Sequence, residues 1–409
     1  MIITPKIRSN ICINAHPIGC AKDVERQIAY VKSQKVKRNV KSVKEGGKGP
    51  KTVLVLGCST GYGLASRISA AFEYGADTIG VSFEKEASQT RGGTPGWYNN
   101  KAFDKAATAE GLKSVTLNGD AYSNEMRQSV LDEINKMGKK IDLLVYSLAS
   151  PVRTDPETKV MYKSVIKPQG KPFAGSALDI INETLVDVSA EPATDEEIAN
   201  TVKVMGGEDW NLWIDFLLKA GVLAEGCCTL AYSYIGPELS HAIYRNGSIG
   251  AAKQNLEQTA VSLNTKLANA IKGSAFISEN KGLVTRSSAV IPIISLYLAI
   301  LFKVMKSKGI HEGCIEQMER MFAERLYTGD NSAMVTIPVD EEHRIRMDDW
   351  ELRSDVQEEA SKAMTLVTAD NLNEYCDLKG YKHDFLNTNG FDVEGVDYNK
   401  DVEDMSSIE

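Results

Sequence analysis

The sequence predicts an α/β fold organised on a doubly wound parallel sheet, and three observations carry that prediction. Short apolar, β-branched runs alternate with helical patterns from residue 52 to residue 147. A glycine cluster stands between the first of these strands and its helix. The alternation then breaks and resumes near residue 228, as happens when an insertion interrupts a continuing sheet.

Residues 1–49 read as an N-terminal extension, a strand-like start followed by a polar helical stretch ending at Gly46, Gly47, Gly49 and Pro50. The basic run from Lys35 to Lys51 reads as a solvated helix end and linker. Cys12, His16 and Cys20 are evenly spaced, but Pro17 is expected to interrupt a helix there and no second ligand pair follows at zinc spacing. No metal is expected.

Residues 50–310 are expected to form the central domain. Its first strand, 52–56, leads through the glycines into a helix patterned on Ala65, Ile68, Ala71 and Phe72. Strands follow at 78–83, 114–117 and 141–147, with helices at 102–110 and 124–137 between them. Residues 151–220 carry Pro151, Pro156, Pro168, Pro172 and Pro192, then an acidic helix start at Thr194 and a Trp-bearing stretch at 208–218. They read as a lid inserted over the edge of the sheet. The sheet resumes at 228–232, a helix runs to about Lys272 and a strand occupies 274–277. The apolar 284–305 stretch then reads as a buried or pocket-lining helix, and residues 311–409 as a C-terminal extension packed on the same domain.

Hydrophobic residues at 43% and charged residues at 25% are ordinary globular values for a chain of 409 residues. A net charge of −8 with no long basic block argues against a nucleic-acid surface. The N-terminus lacks the apolar core of a signal peptide, and the most apolar run, 289–302, is too short to span a bilayer. Seven scattered cysteines suggest no disulfide framework. A cytoplasmic protein is expected.

The turn Gly57-Cys58-Ser59-Thr60-Gly61-Tyr62-Gly63 joins strand to helix, where amide groups and the helix dipole favour a dinucleotide pyrophosphate. Its spacing, G-x-x-x-G-x-G, is the form used by short-chain dehydrogenases and enoyl reductases within the Rossmann-type folds. Phe83-Glu84 ends the second strand about 20 residues on, where an acid accepts the adenosine ribose hydroxyls. Glu84 would repel a 2′-phosphate, so NADH is preferred over NADPH, although Lys85 and Arg91 lie near in sequence. Asp120-Ala121 should edge the adenine and Leu148-Ala149 the nicotinamide ribose.

At the resumed sheet edge, Tyr244 is followed after eight residues by Lys253. Reduction of an enoyl thioester needs a hydride at the β-carbon and an acid near the thioester oxygen, a role a phenol can fill. Lys253 would hold the nicotinamide ribose and place positive charge beside the phenol. On one straight helix residues nine apart face opposite ways, so Asn246-Gly247 is expected to form a turn, with Tyr244 before the helix, Ser248 near its N-cap and Lys253 within it. Tyr234 is either a second donor to the carbonyl or a core residue. Leu283, Val284 and Thr285 should contact the nicotinamide carboxamide.

These residues resemble one family, the trans-2-enoyl-CoA reductases, which also include a class of bacterial enoyl-acyl-carrier-protein reductases. The resemblance spans nearly the whole chain: Asn14-Ala15-His16-Pro17, the Gly57 turn, Gly96-Trp97-Tyr98-Asn99, Tyr146 to Pro151, Tyr232 to Pro237, Tyr244 with Lys253, and His383-Asp384-Phe385. It implies an extended short-chain-reductase fold, NADH as donor, Tyr244 as proton donor, Tyr234 as substrate contact, Lys253 as cofactor contact, and a monomer active in fatty acid metabolism. The substrate it implies is a short enoyl-CoA such as crotonyl-CoA or, alternatively, an enoyl-acyl-carrier protein. Two other readings remain. A short-chain ketone or alcohol dehydrogenase would show a shorter Tyr-to-Lys spacing, and an NADH-binding redox sensor would have no use for the pair.

Overall fold

Successive residues of the first core strand, β1 (Thr52–Leu56), are buried on opposite sides of the sheet. Val53 and Val55 join one apolar cluster and Leu54 and Leu56 another, so helices cover both faces. The computed structural model describes residues 1–8, 10–288, 291, 293–328 and 337–409. Among them β1, β2 (Asp77–Ser82), β3 (Ser114–Asn118), β4 (Ile141–Tyr146), β5 (Leu223–Ser233), β6 (Ser274–Glu279) and β7 (Arg344–Arg346) form one sheet in the order β7-β6-β5-β4-β1-β2-β3. All its pairings are parallel. The order reverses between β1 and β4, and the crevice at the C-terminal ends of such strands is where ligands bind.

The helices used below are α1 (Pro17–Lys37), α2 (Gly61–Phe72), α3 (Pro95–Ala109), α4 (Asn124–Met137), α5 (Asp195–Met205), α6 (Glu208–Lys219), α7 (Ser248–Ile271), α8 (Ile294–Ser307), α9 (Cys314–Met321) and α10 (Ser354–Leu366). α1, α2, α3 and α9 pack on one face of the sheet. α4, α6 and α7 pack on the other. The doubly wound expectation is met.

Several elements differ in extent from the sequence reading, each for a local reason. Pro17 starts α1 instead of interrupting a helix, because a residue without an N–H is tolerated in the first turn; His16 caps that turn, its Nδ1 accepting from the Gly19 amide at 3.1 Å. Pro95 likewise opens α3 seven residues before the expected start. β5 begins at Leu223, and its pairing with β4 shifts register before Cys228, where Gly226 has φ +77°. The helix from the apolar stretch runs over Ile294–Ser307, while Ala289, Val290 and Pro292 of that expectation lie outside the described residues. None of the described helices is long and apolar enough to cross a membrane.

Residues 151–220 contain two antiparallel hairpins, Val152–Thr154 with Met161–Lys163 and Phe173–Asp179 with Thr184–Ala190, before α5 and α6. Thr194 and Glu197 form the capping box that starts α5. The longer hairpin is tied to α8, Ser295 Oγ accepting from the Leu178 amide at 3.0 Å. The tryptophan-bearing α6 belongs to the helical layer: Trp210 and Trp213 are fully buried, and Trp210 Nε1 donates to Thr229 Oγ1 on β5 at 2.9 Å. The C-terminal region contributes β7, which pairs with β6 through Ile277, Ser278 and Glu279.

Candidate active site

The turn between β1 and α2 is shaped by contacts that leave no room for a side chain. A Cβ on Gly57, at φ +86°, would lie 2.1 Å from the Ser147 carbonyl oxygen, and one on Gly63 would lie 2.0 Å from the Gly57 oxygen. Gly61, at φ +54°, is not crowded in this way; an added Cβ would meet only Thr285 Cγ2, in ordinary contact at 3.7 Å. The Gly57 and Cys58 amides are both engaged by the Val81 carbonyl, at 2.9 and 3.1 Å. The amides open to a ligand are therefore those at the start of α2, which have no partner within a helix, and Thr60 offers them no side-chain cap. Cys58 turns its thiol inward to Asn100 Oδ1 at 3.5 Å, and burial pushes that thiol up to about 11. An uncapped helix start facing a cradle that only glycine can form fits a dinucleotide pyrophosphate.

Glu84 reaches the same turn. Its carboxylate accepts from Ser59 Oγ at 2.6 Å and stands 3.9 Å from the Arg286 guanidinium, while its amide donates to Asn118 Oδ1. Gly96 makes this possible, since a Cβ there would come within 2.2 Å of the carboxylate; Asn99 Nδ2 holds the Ser59 carbonyl at 3.0 Å. Gly96 and Asn99 belong to a quoted motif for which the sequence offered no role. Phe83 is 80% exposed beside Glu84. Asp120 is used locally, accepting from the Tyr122 amide at 2.9 Å, and the Ala121 carbonyl takes Trp213 Nε1. Leu148 and Ala149 follow the end of β4, and the Leu148 side chain lies beside the space a Gly57 Cβ would occupy.

At the end of β5 the chain leaves the sheet through Tyr234 and turns back at Tyr244 before α7. Tyr244 lies outside the helix as expected, held through its own backbone: its amide donates to Ser240 and its carbonyl accepts from Gly247, each at 3.0 Å. Gly247 occupies the N-cap and Ser248 is the first helical residue. Ser248 Oγ accepts from the Lys167 amide and donates to the Val165 carbonyl, joining the insertion to this turn. The rings of Tyr234 and Tyr244 meet edge to face at 5.2 Å. Lys253, one and a half turns into α7, donates from Nζ to the Tyr232 carbonyl at 3.1 Å. Tyr234, Tyr244 and Lys253 thus converge on one strand end.

The Tyr244 hydroxyl makes no hydrogen bond among the described residues. Burial raises its pKa, Glu279 raises it further, and Arg245 opposes both. Burial lowers the pKa of Lys253, against Glu279 and Glu257. Burial thus favours the protonated phenol at Tyr244 and leaves the Lys253 amine short of water.

The loop after β6 closes the site from the other side. Tyr62, from the glycine turn, donates to the Lys281 carbonyl at 2.5 Å. Thr285 is braced by Ser288, whose hydroxyl donates to the Leu283 carbonyl at 2.7 Å. Val284 packs with Leu283 in the apolar cluster around α8. Sequence reasoning missed the anchor of this region, Glu351. Fully buried, it accepts from Tyr234 at 3.0 Å, Tyr297 at 2.7 Å and the Gly282 amide at 2.6 Å. It lies on an irregular segment ahead of α10, with no local pattern to announce it.

Residues 2–89 match the family model described as the NAD(P)H binding domain of trans-2-enoyl-CoA reductase, and residues 91–327 match the trans-2-enoyl-CoA reductase catalytic region. Residues 339–402 match an enoyl reductase FAD binding domain; in this chain that stretch supplies β7, α10 and Glu351. The trans-2-enoyl-CoA reductase (NADH) of Treponema denticola is 62% identical over 100% of both chains. The enoyl-acyl-carrier-protein reductase (NADH) of Cytophaga hutchinsonii is 51% identical over 100% of this chain and 99% of that one. The crystal structure of Treponema denticola trans-2-enoyl-CoA reductase in complex with NAD aligns with a TM-score of 0.94 at 61% identity, covering 99% of this chain and 98% of that one. That of Clostridium acetobutulicum trans-2-enoyl-CoA reductase in complex with NADH aligns with a TM-score of 0.93 at 45% identity, with the same coverage.

Proposed function

Because the chain belongs to the trans-2-enoyl-CoA reductase family, we propose that it reduces the C2=C3 double bond of trans-2-enoyl thioesters with NADH. The observation that carries this reading is the convergence of Tyr234, Tyr244 and Lys253 on the end of β5, along the sheet edge where the glycine turn opens. Bound in that cradle, NADH supplies the hydride taken up at C3.

The chain's own residues do the rest. The amides from Ser59 to Tyr62, in the turn and the first residues of α2, take the pyrophosphate, Glu84 the adenosine ribose, and Phe83 with Asp120 and Ala121 the adenine. Leu148, Ala149 and Lys253 border the nicotinamide ribose, and Leu283, Val284 and Thr285 its carboxamide. Tyr244 donates a hydrogen bond to the thioester oxygen, where negative charge builds, and then gives its proton to the enolate. Burial keeps the phenol protonated until a stronger base than water faces it, and the neighbouring ammonium of Lys253 stabilises the phenolate left behind. Tyr234, already donating to Glu351, holds the substrate's approach through its ring.

A short enoyl-CoA such as crotonyl-CoA is the proposed substrate, and the enzyme is proposed to act as a monomer in the cytoplasm without nucleic-acid partners. An enoyl-acyl-carrier protein is the second reading, favoured by the similarity to the Cytophaga hutchinsonii reductase. Purified protein should oxidise NADH with crotonyl-CoA, faster than with a longer enoyl-CoA or an enoyl-acyl-carrier protein. Failure to oxidise NADH with all three would refute the assignment, and preference for the carrier protein would select the second reading.

A further inference from the structure

Glu279 is the last residue of β6 and is completely buried, yet neither of its carboxylate oxygens has a hydrogen-bond partner among the described residues. A buried carboxyl left without partners destabilises a fold, so packing alone gives no reason for it. The residue is firmly fixed, because its backbone carbonyl accepts from the Met347 amide at 2.8 Å and the Asp348 amide at 3.0 Å. Its in-register neighbour on β5 is Ser233, whose hydroxyl is also buried and faces the carboxyl, favouring its ionised form. The residue before Ser233 is Tyr232, whose carbonyl holds the Lys253 ammonium.

The charged and titratable groups around this carboxyl come from three elements. Tyr244 and Arg245 face it from the turn before α7, Lys253 and Glu257 from α7 itself, and Arg344 and Asp348 from β7 and the residues after it. Arg245 is already paired with Glu257, and Arg344 with Asp340 and Glu342. Lys253 has only a neutral carbonyl as a hydrogen-bond partner. The cation for which Glu279 has most consequence is therefore Lys253.

We propose that Glu279 is a positioning residue for the Tyr244–Lys253 pair, its buried carboxylate holding the lysine in its charged form and the phenol in its protonated form. This rests on the enoyl-reductase reading and deepens it. A negative charge in a poorly solvated site offsets the loss of water around the ammonium and opposes ionisation of the phenol. Burial, aided by Glu257 and Asp348 and opposed by Ser233 and Arg344, pushes the Glu279 carboxyl up to about 7. The device is thus partly ionised at neutral pH and becomes fully charged as pH rises.

The test is the pH profile of kcat/KM for crotonyl-CoA and NADH in the parent and in Glu279→Gln. Removing a negative charge lowers the pKa of Lys253 and of Tyr244 alike, so the basic limb must move to lower pH whichever group it reports, by about half a unit or more. The inflection near neutrality should vanish. Glu279→Asp, which keeps the charge, should bring the basic limb back towards the parent. A merely structural role would instead lower activity at every pH without moving the limbs. A readout independent of turnover is the infrared difference spectrum between parent and Glu279→Gln, in which a protonated-carboxyl band should titrate near neutrality. Should Glu279→Gln fail to fold, Arg344→Gln carries the test: it removes a cation facing Glu279 and should move the parent's acid limb to higher pH. Superimposable profiles for parent and Glu279→Gln, an absent infrared band, or an unmoved acid limb in Arg344→Gln would each overturn the proposal. If the parent itself reduces no enoyl thioester, the functional reading fails, and the infrared titration still reports on the carboxyl.

Discussion

Replacing Tyr244 with phenylalanine removes one oxygen atom and almost nothing else. The hydroxyl has no hydrogen-bond partner among the described residues, so no donor or acceptor of the protein is orphaned, and the ring keeps its edge-to-face contact with Tyr234 at 5.2 Å. The thermal midpoint of Tyr244→Phe should therefore stay at the parental value or rise slightly. The chemical effect should be large, because proton transfer from a positioned acid contributes roughly 100- to 10,000-fold to a rate. At about 1.36 kcal/mol per factor of ten, that is about 2.7 to 5.4 kcal/mol of transition-state stabilisation resting on one hydroxyl. The assay is NADH oxidation followed by absorbance with saturating crotonyl-CoA, alongside fluorescence titration of NADH binding. The expected result is a kcat lowered by at least about 100-fold with an NADH Kd within about twofold of the parent. A Phe variant that turns over at the parental rate would show that Tyr244 is not the proton donor, whatever its position.

The two glycines of the turn should separate by steric cause. Gly63→Ala drives a Cβ to 2.0 Å from the Gly57 carbonyl oxygen and should abolish NADH binding, whereas Gly61→Ala makes only an ordinary contact with Thr285 and carries the left-handed backbone penalty of about 1–2 kcal/mol, read as a lowered Tm. Glu84→Gln keeps the shape but removes the charge facing a 2′-phosphate, so the ratio of kcat/KM for NADH over NADPH should fall by about tenfold; an unchanged ratio would place the discrimination elsewhere. Glu351→Ala leaves Tyr234, Tyr297 and the Gly282 amide without their acceptor and should lower unfolding stability by about 3 kcal/mol or more in urea titration. Glu73 is buried with neither oxygen hydrogen-bonded, and desolvation pushes it from 4.5 to about 8. A carboxyl raised in the folded state favours folding below its unfolded value, and that contribution is lost as pH climbs from 4.5 through 8. Glu73→Gln should accordingly raise Tm at pH 8.5 and leave it nearly unchanged at pH 4; equal shifts at both would refute the assignment.

What the sequence by itself determined lies where the physics is local. Alternating Val and Leu in β1, the glycine turn and the apolar spacing of α2 are set by neighbours within a few residues, and they sufficed for the parallel sheet and its first strand–turn–helix. Asn246-Gly247 likewise placed Tyr244 ahead of α7, because these residue types favour a turn over a continued helix. Tertiary structure alone decided the rest. β7 is three residues long with an arginine at each end, a pattern that carries no strand periodicity and becomes a strand only because β6 offers it an edge. The helix expected from residue 102 starts at Pro95, since the packing of Gly96 against Glu84 is a contact across the fold. Glu351 and Glu279 are ordinary acids in the sequence. Burial and the groups brought to them from distant segments make one an anchor for Tyr234 and leave the other without a partner beside Lys253, and no spacing along a chain encodes either.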